Sequence, residues 1–370
     1  MSATVIVSIP TLLLAAVYPA LDDELGFGGT TLGSAVGAYW ATAAVGSAVV
    51  ARVGSRAGAS LLLVAAFALA AVSTAGVAVW TPTPSALVAW IALGGVASAC
   101  AHPAANHVLA GVISGRRASA AFGLKQASVP IAGLLAGVSV PLIVAVFGWR
   151  AAFASAAFVA AGLLLVTLLA RRSGGRAESR PIRRDRNPHR RLIALSAVGG
   201  LASGAATASA TFFVVAAVDR GVAAADAALL LATAGALSAG TRIAVGWLAA
   251  GRAGAALRWL SLLVALATIG ATLLATGTGG WFVVGFLAVV GVGWGWPGLL
   301  HYVARLAPDP RSATGLVLLG TYSGNAAGPL LFGVVSTTVG IATAWWVNAA
   351  ALGVSSVIAG ATAWANRRTG

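Results

Sequence analysis

Five side chains in this 370-residue sequence can carry positive charge inside otherwise apolar stretches: Lys125, Arg242, His102, His107 and His301. An ionisable group within a membrane span costs at least a few kcal/mol, so each is by default a functional candidate. Lys125 falls about seven residues into its apolar stretch, roughly 10 Å from the nearest basic end. There it either snorkels back to the interface or, with Gln126 and Ser128 alongside, presents a cation to an anionic solute. Arg242 precedes the loop residue Arg252 by ten positions, deeper than an anchoring arginine needs. Its planar fork matches a carboxylate or phosphate, while packing against the carbonyls of a neighbouring helix would suit it equally well. The histidines titrate in the physiological range and could carry a coupled proton; the alternative for them is hydrogen-bonded structure.

No Asp or Glu falls in the middle of an apolar stretch. A membrane-embedded carboxylate relay is therefore not available, which leaves histidine coupling, anion exchange or facilitated passage. Asn106, Tyr39 with Trp40, Trp294 with Trp296, and Tyr322 with Asn325 have the composition of a mostly apolar cavity holding a few polar groups. Tryptophan and tyrosine also form interfacial belts, and Trp80, Trp149, Trp281, Trp345 and Trp346 near expected outer ends fit that role. Cys100 is the only cysteine, so neither an internal disulfide nor a multi-cysteine metal site can form; no metal or cofactor is expected. Catalysis within a membrane would need clustered nucleophiles, paired carboxylates or metal ligands. With no embedded acid to partner the histidines, the chain does not read as an enzyme.

These residues must be positioned by helices in a bilayer. The hydrophobic fraction is 59% and charged residues make up 8%, against about 25% charge in soluble domains. Apolar stretches of spanning length recur near 3–21, 30–51, 59–80, 84–113, 118–146, 150–170, 192–217, 224–250, 256–276, 281–304, 313–338 and 342–365. The first could be a secretory signal, but it lacks a positive leading region, and we read it as a retained helix. With the N-terminus in the cytoplasm, the inner segments hold Arg52, Arg56, Arg116, Arg117, Arg252, Arg258, Arg305, Arg311, Arg367 and Arg368, and the outer loops hold only Arg150 and Arg220 beside Asp22, Asp23, Glu24 and Asp219. That asymmetry follows the positive-inside rule and places both termini on the cytoplasmic side of the inner membrane. It also accounts for the net charge of +15 without nucleic acid as a partner. Segment 171–191, with nine arginines, two prolines and Gly174-Gly175, reads as a flexible linker between an N-terminal bundle (1–170) and a C-terminal bundle (192–370). It is a solvated topology anchor that can also attract anionic lipid headgroups.

The two bundles repeat one another. Arg56-Ala57-Gly58-Ala59 returns as Arg252-Ala253-Gly254-Ala255, Pro103 and His107 return as Pro297 and His301, and Gly123 and Gly148 return as Gly315 and Gly340. The offsets are 196, 194 and 192 residues, as expected of parallel repeats related by an axis along the membrane normal. Gly133 and Gly137, and likewise Gly320, Gly324 and Gly328, lie on single helix faces where close backbone approach either packs helices or lets them slide. Pro130 and Pro329 fall inside helices and each removes a backbone hydrogen bond.

With these features, the full length resembles the major facilitator superfamily. The stretch from Pro103 through Arg116-Arg117 and Gly123-Leu124-Lys125-Gln126 to Phe147-Gly148-Trp149-Arg150 is similar to the helix-four-to-six region of bacterial members, and Gly324-Asn325-Ala326-Ala327-Gly328-Pro329 to their glycine-rich helix eleven. The resemblance implies an all-α membrane fold of twelve transmembrane helices in two pseudo-twofold-related six-helix bundles. It further implies a monomeric secondary transporter that moves a small organic solute by alternating access, with Arg56, Gly58, Arg252 and Gly254 in its gating loops. The family's loop acid is replaced by Ser55 in one copy and Gly251 in the other, so neither copy carries the charge of the family's gate latch. Val129-Pro130 only partly matches the family's Gly-Pro antiporter motif. Two embedded cations without an acid favour a neutral or anionic solute. The competing readings are a multidrug or metabolite exporter or antiporter, and a receptor or sensor that keeps the carrier fold without transport.

Overall fold

The computed structural model describes residues 1–112, 123–170, 190–249, 252–307 and 309–368, leaving out the side chains of 51–57, 103, 106–112, 311 and 366–368. The linker residues before Arg190, Arg116 and Arg117, and the side chains of Arg56, Asn106 and His107 therefore lie outside the described residues. Among these residues twelve long helices follow one another: α1 Ser2–Leu25, α2 Gly28–Val50, α3 Gly58–Val79, α4 Pro84–Val112, α5 Gly123–Phe147, α6 Trp149–Ala170, α7 Arg190–Val218, α8 Ala224–Leu248, α9 Ala253–Thr276, α10 Gly280–Arg305, α11 Pro310–Thr338 and α12 Ile341–Arg368. Among the described residues, eleven are long and apolar enough to cross a membrane. The exception is α11, a 29-residue helix whose glycines, serines, threonines and Asn325 lower its mean hydropathy.

Glycine makes several of the corners. Gly58 (φ 73°) turns the chain between α2 and α3, and Gly148 (φ 80°) and Gly340 (φ 117°) close α5 and α11 at matching places in the two repeats, a left-handed conformation that side chains disfavour. The first loop copy is thus built on its glycine. In the second, Gly254 is helical and the corner falls before it, where Arg252 is extended (φ −131°, ψ 101°).

The halves, α1–α6 and α7–α12, meet along α2 with α11, α5 with α8, and α1 with α7. A twofold that exchanges α2 with α8 and α5 with α11 maps the first two seams onto each other. Both seams depend on missing side chains. A Cβ on Gly37 would lie 2.9 Å from the Ala326 carbonyl oxygen, one on Gly33 would strike Pro329, and one on Gly235 would lie 2.5 Å from the Pro130 carbonyl oxygen.

Candidate functional site

At 1.5 Å per residue, His102 and Arg242 each lie eighteen residues, about 27 Å, from the start of their helices. Both therefore sit toward the end that the arginine distribution assigns to the cytoplasm. There α4, α5, α8 and α10 bring together four of the expected residues. Lys125 Nζ lies 3.2 Å from His102 Nδ1. An ammonium can only donate, so His102 accepts at Nδ1 and its proton is on Nε2, a buried nitrogen with no hydrogen-bond partner among the described residues. His301 has the opposite tautomer. Its Nδ1 is 2.8 Å from the Pro297 carbonyl oxygen, and because a carbonyl cannot donate, that nitrogen carries the proton. His301 lies within electrostatic reach of both Lys125 and Arg242.

Arg242 is only 2% exposed and is held by two carbonyls whose usual donors are missing. Nη1 donates to Gln126 O of the other half at 2.6 Å. In a regular helix that oxygen would accept from residue 130, which is proline and has no N–H. Nε donates to Trp294 O at 3.1 Å. Trp294 lies in the 3₁₀ turn Gly293–Gly295, where the donor three residues on would be Pro297, again without an N–H. The guanidinium also faces the Trp294 ring, 5.2 Å from its centroid. Its third nitrogen, Nη2, is buried and has no partner among the described residues. Ser238, one turn earlier on α8 and fully buried, adds a hydroxyl that also has no partner among the described residues.

The sequence matches the family model "Major Facilitator Superfamily" over residues 1–314. The chain belongs to the Major Facilitator Superfamily. No curated relative matches it. Among the solved structures that share the fold are two of a bacterial homologue of the human lysosomal transporter Spinster, both in inward-facing states. For the unoccupied state the identity is 15% and the TM-score 0.73, covering 99% of this chain and 95% of that one. For the occupied state the values are 17% and 0.74, covering 100% and 95%. At these identities the likeness shows the fold alone.

The remaining residues expected from the sequence are dispersed within this superfamily fold. Tyr39 is buried and donates from its hydroxyl to Val7 O at 2.6 Å, inside the first half. Its neighbour Trp40 meets Tyr322 across the halves, ring centroids 5.6 Å apart, with the indole N–H unpartnered among the described residues. Asn325 accepts from Thr207 at 2.7 Å within the second half, and Trp296 is packed in the core. Gln126 enters through its carbonyl. Gly320, Gly324 and Gly328 face α7, where their Cβ atoms would meet Ser196, Gly200 and Gly204, so this row packs helices within one half. Gly137 faces α8 across the seam, and Gly133 faces Leu12 of α1. Sequence reasoning passed over Ser238, although its spacing of four from Arg242 puts both on one helix face, and over Gly33, Gly37 and Gly235.

Proposed function

We propose that this superfamily member is a secondary transporter of a small organic anion, bound between the halves by Lys125, His102 and Arg242 and released to either side of the cytoplasmic membrane by alternating access. One observation carries the reading: the cluster offers cationic and unpartnered hydrogen-bond donors with no carboxylate to receive them. Among the described residues His102 Nε2–H and Arg242 Nη2 are buried and unpartnered, Lys125 adds an ammonium, and no described helix holds an acid away from its ends. Unpaired buried charge is costly. A carboxylate, phosphate ester or sulfonate supplies both the charge and the lone pairs, and a guanidinium nitrogen beside a lysine suits such a group. The arginine-rich loops support a multi-pass arrangement with both termini in the cytoplasm.

Lys125 is the only lysine in the chain, which makes a direct test available. Purified protein is treated with an amine-reactive reagent with and without a panel of small carboxylates, phosphate esters, sulfonates, sugars and organic cations, and flux of the protecting compounds is measured in proteoliposomes. The expected result is that anions alone protect Lys125 and are transported, with flux at least tenfold lower in Lys125→Gln and in Arg242→Gln. Protection by cations or sugars only, or full flux in Lys125→Gln, would overturn the assignment; protection without flux would make the protein a sensor.

A further inference from the structure

A second candidate site lies away from the seam, on the outside of the C-terminal half. Between α11 and α12, with α7 as its floor, runs a crevice of about 650 Å³. It exists because the α7 and α11 backbones touch through glycine: a Cβ on Gly204 would lie 2.7 Å from Gly324 O, and one on Gly200 would lie 3.0 Å from Gly320 O. No side chain from this contact therefore stands in the gap. The rim residues Ile193, Leu331 and Val347 are 53%, 56% and 48% exposed, so the crevice opens toward the bilayer. Its α12 wall is fixed by Asn348, which donates to Ala205 O at 3.0 Å and to Ser209 Oγ at 3.1 Å.

Left empty, such an apolar gap forfeits dispersion contacts along its whole lining, and water would find too few polar partners to occupy it. Hydrocarbon is the remaining filler. The floor from Ile193 to Ala205 runs about 18 Å, close to half of the roughly 30 Å bilayer core and so to the reach of one leaflet's acyl chain. A tail gains little by leaving lipid for the crevice, so selectivity must come from its headgroup. Arg190 and Arg191, both exposed, begin α7, and Arg190 precedes the rim residue Ile193 by three positions on the same helix face. The sequence before them adds Arg180, Arg183, Arg184 and Arg186 against one acid, Asp185.

We propose that this crevice binds an anionic phospholipid, with one acyl chain along the α7 floor and the headgroup held by Arg190 and Arg191. The site is independent of the solute cluster. It is tested by thermal unfolding of the delipidated full-length protein with added phosphatidylglycerol or with phosphatidylcholine of the same chains. Phosphatidylglycerol is expected to raise the unfolding temperature at about tenfold lower concentration than phosphatidylcholine, and Arg190→Gln with Arg191→Gln to erase that difference. Ala327→Phe, which fills the crevice from its exposed rim, should remove the shift with both lipids. If that variant does not fold, the surface arginine pair still decides the matter. Equal response to the two lipids, an unchanged response in the arginine pair, or loss of the response in Lys125→Gln, which would put the lipid in the solute site, overturns the proposal.

Discussion

At the scale of single residues, the site is organised by what two prolines remove. Pro130 and Pro297 leave the carbonyls of Gln126 and Trp294 without their helical donors, and Arg242 answers both from a third helix. A charge-assisted hydrogen bond contributes about 1.5–3 kcal/mol, so Arg242→Gln should destabilise the protein, less whatever is regained by removing a buried charge. The distinctive expectation concerns Pro130→Ala, which returns an N–H to the Gln126 carbonyl. In that background Arg242→Gln should be milder by about 1 kcal/mol, a coupling that unfolding midpoints of the four variants would reveal; strict additivity would mean that the proline does not create the need for arginine. Lys125, His102, His301 and Arg242 were each legible in the sequence as basic residues within apolar stretches. Their convergence was not, because the atoms that anchor Arg242 are backbone oxygens, and the irregular turn at Trp294 (ψ 18°) that presents one of them has no signature beyond Gly293, Gly295 and Pro297.

At the scale of elements, helix positions were readable to within a few residues, since apolar length and loop charge are properties of the chain itself. Which face of a glycine-bearing helix meets which neighbour was not. The row Gly320, Gly324 and Gly328 admitted either packing or sliding; α7 against it, with Ser196, Gly200 and Gly204 at the contact, makes it a fixed joint within one half. Without a hydrophobic drive between helices in lipid, such joints rest on close van der Waals contact. Gly324→Ala would drive a methyl into the Gly200 carbonyl and separate the pair, destabilising by about 1–3 kcal/mol. Gly315→Ala, with nothing within 4 Å of the added carbon, should stay within about 0.5 kcal/mol of the parent. Thermal unfolding in detergent distinguishes them, and similar effects for both would mean that α7 and α11 do not depend on backbone contact.

At the scale of the whole molecule, two related seams join the halves, and they carry different groups. The α5–α8 seam is zipped from Gly137 beside Ala232, through Gly235 beside Pro130, to Gly123, whose Cβ would lie 2.5 Å from Arg242 O. The α2–α11 seam is tight at its outer part, through Gly33 and Gly37, and ends where Thr30 and Thr337 share a hydrogen bond of 3.1 Å. If the halves rock about the solute, the outer contacts of α2 with α11 must open once in each cycle. That threonine pair allows a reversible lock. Thr30→Cys with Thr337→Cys, in a Cys100→Ala background so that no other thiol is present, places two sulfurs where two bonded hydroxyls stood, a separation suited to a disulfide. Oxidation should reduce flux to the level of empty liposomes and reduction should restore it, while either single cysteine variant keeps its flux under both treatments. Unchanged flux in fully cross-linked protein would mean that the solute crosses without separation of this seam, and the rocking of two halves would then have to be abandoned for this chain.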